Sequence, residues 1–262
     1  MKSKLDGSED LETLNWLTPT DYGPLQSDFI RRRQKGTGRW SLDTNEFKTW
    51  LQQRQTTLFC PGIPGAGKTI IAATIADHLN NQYAGDPTTG IAYIYCNFRQ
   101  QQQQTPEDLL SSLLKQFAQE RPSLPESIKT LYERHSSKRT RPSFDEIKGA
   151  LHLVTAYYLR AFIIVDALDE CSVYEGGRQK FLTAIFDLQA KTRANIFATS
   201  RVNNDIAKLF KGALSFQICA TNEDVERYLD GRMLLQQSDI LDDELQGIIK
   251  REIIKAFKGM YV

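Results

Sequence analysis

The sequence predicts a doubly wound α/β fold: a five-stranded parallel sheet flanked by helices, a helical segment before it, and the start of a helical domain after it. Three observations carry this. Short apolar runs alternate with helical patterns along the chain, which is how βαβ units are written. The runs Ile91–Cys96 and Ala161–Val165 are apolar throughout, as strands covered on both faces are. A glycine-rich stretch, Gly62-Ile63-Pro64-Gly65-Ala66-Gly67-Lys68-Thr69, lies between the first apolar run and the first long helical pattern after it.

Residues 1–55 read as an N-terminal helical and loop segment. Ser8 to Leu17 predicts a short helix with Leu11, Leu14 and Leu17 on one side, ended by Thr18-Pro19. The basic run Arg31-Arg32-Arg33-Gln34-Lys35 reads first as a solvated helical face, with a nuclear signal or nucleic-acid patch as the lesser reading. Gly36-Thr37-Gly38-Arg39-Trp40 is a loop. Asp43 then caps a helix, with Glu46 in capping-box position and Phe47, Trp50 and Leu51 on the apolar face.

Residues 56–220 form the predicted sheet domain. Thr56–Cys60 is the first strand, Ile70–Leu79 a helix and Ile91–Cys96 the second strand. Gln100–Gln104 reads as a polar loop. Thr105-Pro106-Glu107-Asp108 is a helix start, with hydroxyl cap, proline at the first position and acids in the first turn. A second helix follows to about His135, then the basic loop 136–142. Ser143 and Glu146 form a capping box opening a helix through Tyr158. Ala161–Asp166 is the third strand, Arg178–Ala190 a helix, Asn195–Ser200 the fourth strand and Leu214–Cys219 the fifth. Residues 221–262 begin a helical region. Thr221 and Asp224 cap a helix through Leu229, and the apolar residues between Ile240 and Phe257 recur near a 3.6-residue period.

Net charge is +1, from 33 basic and 32 acidic residues, which argues against a general electrostatic grip on nucleic acid or membrane. No apolar run reaches the roughly 18 residues of a transmembrane helix, and the first residues lack a signal-peptide core. Cys60, Cys96, Cys171 and Cys219 show no paired spacing and read as small buried hydrophobes of a reducing compartment. The expectation is a cytoplasmic protein with no nucleic-acid or membrane partner.

The chemistry sits at the predicted C-terminal ends of strands, where open α/β sheets bind ligands. Gly62 to Thr69 fits G-x-x-x-x-G-K-[ST], a P-loop. Its glycines let backbone N–H groups turn inward around an anion, and the following helix adds positive potential at its N-terminus. Gly62, Ile63, Pro64, Gly65, Ala66, Gly67, Lys68 and Thr69 are thus expected to cradle ATP or ADP. Lys68 reaches the β- and γ-phosphates, and Thr69 takes Mg²⁺. Asp166, at the tip of the third strand, is the second expected Mg²⁺ ligand. Asp169 and Glu170 are candidates to orient or deprotonate water, with Glu170 preferred. Arg201, after the fourth strand, is a candidate γ-phosphate sensor. Arg178 has no distinguishing signal and is not assigned.

These residues carry a resemblance. Gly62–Thr69, Asp166–Glu170 and Thr199-Ser200-Arg201 together resemble a NACHT domain of the STAND class of signalling P-loop NTPases. Asp28-Phe29-Ile30, Gly36-Thr37-Gly38 with Trp40, Asp166-Ala167-Leu168-Asp169-Glu170-Cys171 and Glu223-Asp224-Val225 resemble the nephrocystin-like N-terminal type found in fungal ankyrin-repeat and heterokaryon-incompatibility proteins. The resemblance runs from about Trp16 to the C-terminus. It implies an ATP/ADP switch, with slow Mg²⁺-dependent hydrolysis, in a defence or incompatibility pathway. It also implies that residues around Gly38-Arg39-Trp40 pack on the adenine. The alternative is a nucleotide-binding scaffold without turnover, or a degenerate fragment. The family's winged helix, switch histidine and repeats are not found in these 262 residues, so a truncated copy is expected. The last apolar face would then meet a partner protein or a second copy.

Overall fold

The computed structural model describes residues 8–100, 102–235 and 247–254. Four helices precede the sheet: α1 (Ser8–Leu17), α2 (Gly23–Arg32), the one-turn α3 (Trp40–Asp43) and α4 (Asn45–Gln52). The remainder runs β1 (Thr57–Pro61), α5 (Lys68–Gln82), β2 (Thr89–Tyr95), α6 (Pro106–Gln119), α7 (Glu126–Ser136), α8 (Phe144–Thr155), β3 (Arg160–Asp166), α9 (Gly177–Thr192), β4 (Asn195–Ser200), α10 (Asn204–Leu209), β5 (Leu214–Ser215) and α11 (Asn222–Leu235). Residues 247–254 are also helical.

The five strands form one all-parallel sheet in the order β2-β3-β4-β1-β5. Parallel strands need crossovers, and crossovers are right-handed. The helix α5 carries the chain from β1 to the far edge at β2, while α6, α8 and α9 serve connections that bring it back. The two sets therefore lie on opposite faces. Their packing agrees: α5 contacts β2, β3, β4 and α2, whereas α6, α8 and α9 contact one another. This confirms the doubly wound expectation.

The sheet is buried because its strands are apolar on both sides. From Phe162 to Val165 in β3 and from Ile196 to Ala198 in β4, every residue is fully buried. The N-terminal segment shares this core. Trp50 is fully buried, with its ring against Phe162 and Phe197 at 5.2 and 6.2 Å and its indole N–H donated to the Ile196 carbonyl at 2.9 Å. An indole so placed combines a large apolar area with a satisfied donor. Among the described residues, no helix is long and apolar enough to cross a membrane.

Helix starts follow the predicted capping chemistry. Thr105 with Asp108 and Ser143 with Glu146 both form complete capping boxes. Arg31 and Arg32 lie on an exposed face and pair with Asp28, the solvated reading of the basic run. Several expectations are corrected. Leu11 is 46% exposed, so only Leu14 and Leu17 of its trio are buried. Asp43 ends α3 and does not cap α4; Thr44 has the extended backbone a cap needs and accepts from Phe47 N. The helix expected to reach Tyr158 stops at Thr155. The fifth strand is two residues long, although Ile218 N still donates to the Pro61 carbonyl at 2.8 Å.

Two corrections concern polar groups. Gln104 does not belong to a solvated loop: it is buried. Its amide donates to the Tyr22 hydroxyl and Tyr95 carbonyl, both at 3.0 Å, and accepts from Asn97 N at 2.8 Å. The cysteines are not four separate thiols. Cys96 and Cys171 are joined in a disulfide with Cα atoms 5.4 Å apart, while Cys60 and Cys219 are free. Cys96 directly follows β2, and the turn through Leu168–Glu170 after the neighbouring β3 carries Cys171 to it. The predicted amphipathic stretch 240–257 lies largely outside the described residues. Within 247–254, Ile248 and Ile253 are exposed.

Candidate functional site

The stretch Gly62–Thr69 connects β1 to α5 at the C-terminal edge of the sheet. Gly65 and Gly67 have φ of +78° and +87°, a left-handed conformation that costs glycine little and other residues more. A Cβ on either would meet open space. The cradle therefore needs glycine for its backbone shape and leaves room in front of it. Gly62 is required for a different reason, since a Cβ there would come within 2.6 Å of the Ile218 carbonyl oxygen.

Lys68 folds over this loop and donates to the carbonyls of Gly62 and Ile63 at 3.0 and 2.8 Å. Partial burial holds its pKa below the usual lysine range, opposed by the nearby Asp169 and Asp166. Thr69 opens α5 and donates to Asp166 Oδ2 at 2.7 Å. Asp166 ends β3 and is 2% exposed. Its other oxygen accepts from the Thr199 hydroxyl at 2.6 Å, and that hydroxyl accepts in turn from Ala167 N at 3.0 Å. Burial pushes the Asp166 pKa up, against the bonds from Thr199 and Thr69 that pull it down.

Beyond Asp166 the chain turns sharply. Ala167 has φ of +57° and ψ of +51°, a conformation that costs a residue with a Cβ about 1–3 kcal/mol. The turn opens a short 3₁₀ segment, Leu168–Glu170, and brings Asp169 and Glu170 to the pocket in front of the glycine loop. Arg201 meets both. Its backbone N–H donates to Asp169 Oδ1 at 2.8 Å, its Nε pairs with Oδ2 at 3.2 Å, and its Nη2 lies 3.5 Å from Glu170 Oε1. Phe98 N donates to Glu170 Oε2 at 3.2 Å. Arg178 lies behind this loop, with Nη1 3.4 Å from the Leu168 and Asp169 carbonyls.

A cavity of about 300 Å³ is lined by Pro64, Gly65, Gly67, Lys68, Thr69, Ile70, Ala167, Asp169, Glu170 and Arg201. Of the predicted site residues, Gly62, Ile63, Ala66 and Asp166 do not line this cavity, Asp166 standing behind Thr69. A second cavity, about 310 Å³ and mainly apolar, shares Gly65, Gly67 and Ile70 with the first. Its far walls are Thr37, Gly38 and Trp40 on one side and Cys219, Ala220, Asp224, Val225 and Tyr228 on the other. Gly38 and Trp40 line this cavity, and Arg39 does not.

The residues fit a Mg²⁺ that arrives with phosphates. Mg²⁺ is usually held by one or two carboxylates plus substrate phosphates, and the Thr69 hydroxyl and the Asp166 carboxylate adjoin each other at the cradle. Among the described residues, no group of three or more His, Cys, Asp or Glu could form a protein-only metal cage. Two residues of the site were missed as individuals. Thr199 had a weak signal, a hydroxyl near the tip of a strand next to β3. Asp224 had none pointing here, because a capping role accounted for it.

The parallel sheet, the glycine loop between β1 and α5 and the acid at the tip of β3 define a domain of the P-loop fold. The chain belongs to the nephrocystin 3 N-terminal family, whose model matches residues 36–201. It is similar in structure to the Orc1 protein of Aeropyrum pernix, solved in complex with DNA, with a TM-score of 0.52 and 15% identity over 83% of this chain and 54% of that one. Two further similar structures are the AMPPCP-bound DnaA of Aquifex aeolicus and a Walker-type ATPase of Pyrococcus abyssi. The DnaA match has a TM-score of 0.44 and 14% identity over 88% of this chain and 63% of that one. The ATPase match has a TM-score of 0.49 and 14% identity over 83% and 64%. At such identities the likeness concerns the fold alone. No curated protein matches the chain.

Proposed function

We propose that the chain binds ATP or ADP with Mg²⁺ and hydrolyses ATP slowly, as the nucleotide-dependent switch of a signalling protein. The observation that carries this is the convergence of Lys68, Thr69, Glu170 and Arg201 on one cavity, with the Asp166 carboxylate bonded to Thr69. In this reading the glycine loop holds the phosphates. Lys68 leaves the Gly62 and Ile63 carbonyls to meet the β- and γ-oxygens, and Thr69 and Asp166 hold Mg²⁺. The bound metal ion would neutralise charge developing on the transferred phosphoryl group.

Glu170 is the proposed water-orienting residue. Asp169 accepts from Arg201 N at 2.8 Å and pairs with its Nε at 3.2 Å, and Glu170 accepts from Phe98 N at 3.2 Å. Both acids line the cavity, and Glu170 is the preferred one of the two. Arg201, with a half-exposed side chain, would exchange its carboxylate partners for the γ-phosphate and so report the triphosphate state. The apolar cavity joined to the first supports a nucleotide over a bare phosphate, with the base as its occupant. A defence or incompatibility role, a fungal ankyrin-repeat context and a partner or second copy at the C-terminal helix rest on the family resemblance and remain part of the proposal. So does a cytoplasmic site of action. No nucleic-acid partner is proposed.

The test is to identify nucleotide bound to the purified chain by mass and then measure turnover with Mg²⁺. Lys68→Ala should abolish binding. Glu170→Gln should keep binding and lower turnover by at least about 100-fold, as loss of general-base assistance does. A wild type that binds nucleotide without turnover above background would leave the scaffold reading in its place. A wild type that binds no nucleotide would sink the proposal, and hydrolysis stimulated by DNA would contradict its partner assignment.

A further inference from the structure

The apolar cavity is built from segments far apart in the chain, and a single carboxylate joins two of them. Asp224 lies in the first turn of α11 and is the only charged residue lining that cavity among the described residues. Its oxygens accept from Gly38 N at 3.2 and 3.1 Å and from Trp40 Nε1 at 2.9 Å, across 186 and 184 positions of sequence.

This use of Asp224 departs from the local pattern. Thr221 caps α11 by accepting from Asp224 N at 3.1 Å. A full capping box would then turn the acid back to the N–H of the capping residue. The chain does this elsewhere: Asp108 accepts from Thr105 N at 3.2 Å, and Glu146 from Ser143 N at 2.9 Å. Asp224 instead reaches across to the loop before α3. That loop is pressed onto α5, since Gly38 is buried with φ of +72° and a Cβ there would meet Ile71 at 2.9 Å. The Trp40 ring also meets Phe216 edge-on at 5.7 Å. With the loop fixed on α5, the remaining freedom belongs to α11.

We infer that Asp224 is a positioning residue for the nucleobase. By holding Gly38 and Trp40 it sets α11 against the loop and closes the base cavity. This deepens the proposed function and rests on it. Bonds to an ionised acceptor are about twice as strong as neutral ones, and both depend on this one side chain. The phosphate cradle is built from Gly62–Thr69 and has no bond to Asp224, so the effect of losing Asp224 should fall on the base alone.

The experiment compares ADP with inorganic tripolyphosphate, both with Mg²⁺, by calorimetry on the full chain. Asp224→Ala should weaken ADP by about 10- to 100-fold, the value of one or two charge-assisted bonds, and leave tripolyphosphate within about two-fold. Trp40→Phe removes the indole donor, keeps an aromatic ring in the cavity wall, and should weaken ADP by a smaller factor. Asp224→Asn keeps an acceptor oxygen and should restore part of the affinity. The wild-type emission that disappears in Trp40→Phe should change on adding ADP and not on adding tripolyphosphate. Urea midpoints of the three variants identify any that fail to fold, and the milder two keep the test valid if Asp224→Ala does. The inference is overturned if a folded Asp224 variant binds ADP as the wild type does, or if tripolyphosphate weakens in parallel with ADP. If the wild type binds neither ligand, the nucleotide reading itself has failed.

Discussion

Replacing Thr199 with valine tests the support behind the magnesium carboxylate. The two side chains are nearly the same shape, so the change leaves little void and removes one hydroxyl. That hydroxyl is fully buried, bonds Asp166 Oδ1 at 2.6 Å and accepts from Ala167 N at 3.0 Å. Losing a bond to a charged group costs about 1.5–3 kcal/mol, and leaving a buried N–H without an acceptor costs about 1–3 kcal/mol. Asp166 can recover part of this by taking up a proton, because burial already pushes its pKa up. The expected loss is therefore about 2–4 kcal/mol. At roughly 2–4 °C per kcal/mol for a chain of this size, the melting temperature should fall by about 4–16 °C. The assay is urea and thermal denaturation without nucleotide, with Thr199→Ser as the control that keeps the hydroxyl. A loss below about 1 kcal/mol for Thr199→Val, or an equal loss for Thr199→Ser, would refute the reasoning.

Asp166→Asn should stabilise the nucleotide-free chain by about 0.5–2 kcal/mol at neutral pH. The sign follows from the raised pKa of Asp166. Its contribution to stability is full below the ordinary carboxylate range and is lost as pH rises through the folded-state value. The advantage of the asparagine variant should accordingly grow with pH from the ordinary carboxylate range upward; urea midpoints across pH measure it, and a constant or shrinking difference would contradict it. Gln104→Leu should cost about 2–4 kcal/mol, since Asn97 N and the Tyr95 carbonyl lose buried partners. The exposed neighbour Gln103→Ala should stay within about 0.5 kcal/mol, and equal urea midpoints for the two would remove the distinction. Gly62→Ala should cost about 1–3 kcal/mol, because a Cβ 2.6 Å from the Ile218 carbonyl forces the backbone apart. An unchanged midpoint in thermal denaturation would show that the contact relaxes freely.

What the residues revealed in advance was local. Strand identity came from apolar runs, and both helix starts were readable, Thr105 as a hydroxyl cap and Ser143-x-x-Glu146 as a capping box. The glycine loop, Asp166, Glu170 and Arg201 could be grouped because a parallel sheet sends strand ends to one edge. What escaped was set by partners distant in sequence. Nothing around Gln104 distinguishes it from Gln103, yet one is buried against Tyr22 and the other is exposed. Leu11 fits the apolar period of α1 and still faces outward. Cys96 and Cys171 lack a spacing signal because the pairing of β2 with β3 and the turn after β3 together bring them into reach. Asp224 has a sufficient local explanation as a capping acid, and that explanation hid its contacts with Gly38 and Trp40.

The short fifth strand has a mechanical consequence. On one side of β1, five paired positions tie it to β4; on the other, only Leu58 with Leu214 and Phe59 with Ser215 tie it to β5, before the single bond from Ile218 to Pro61. The chain after residue 214 is thus attached beside the phosphate loop as if by a hinge pin. A rotation there would leave the central strands paired, and α11, with the wall of the apolar cavity, would travel with it once its Asp224 bonds are released. Amide exchange should register this as fast opening at residues 214–218 beside slow opening along β4, a gradient of local stability across one β-strand's width.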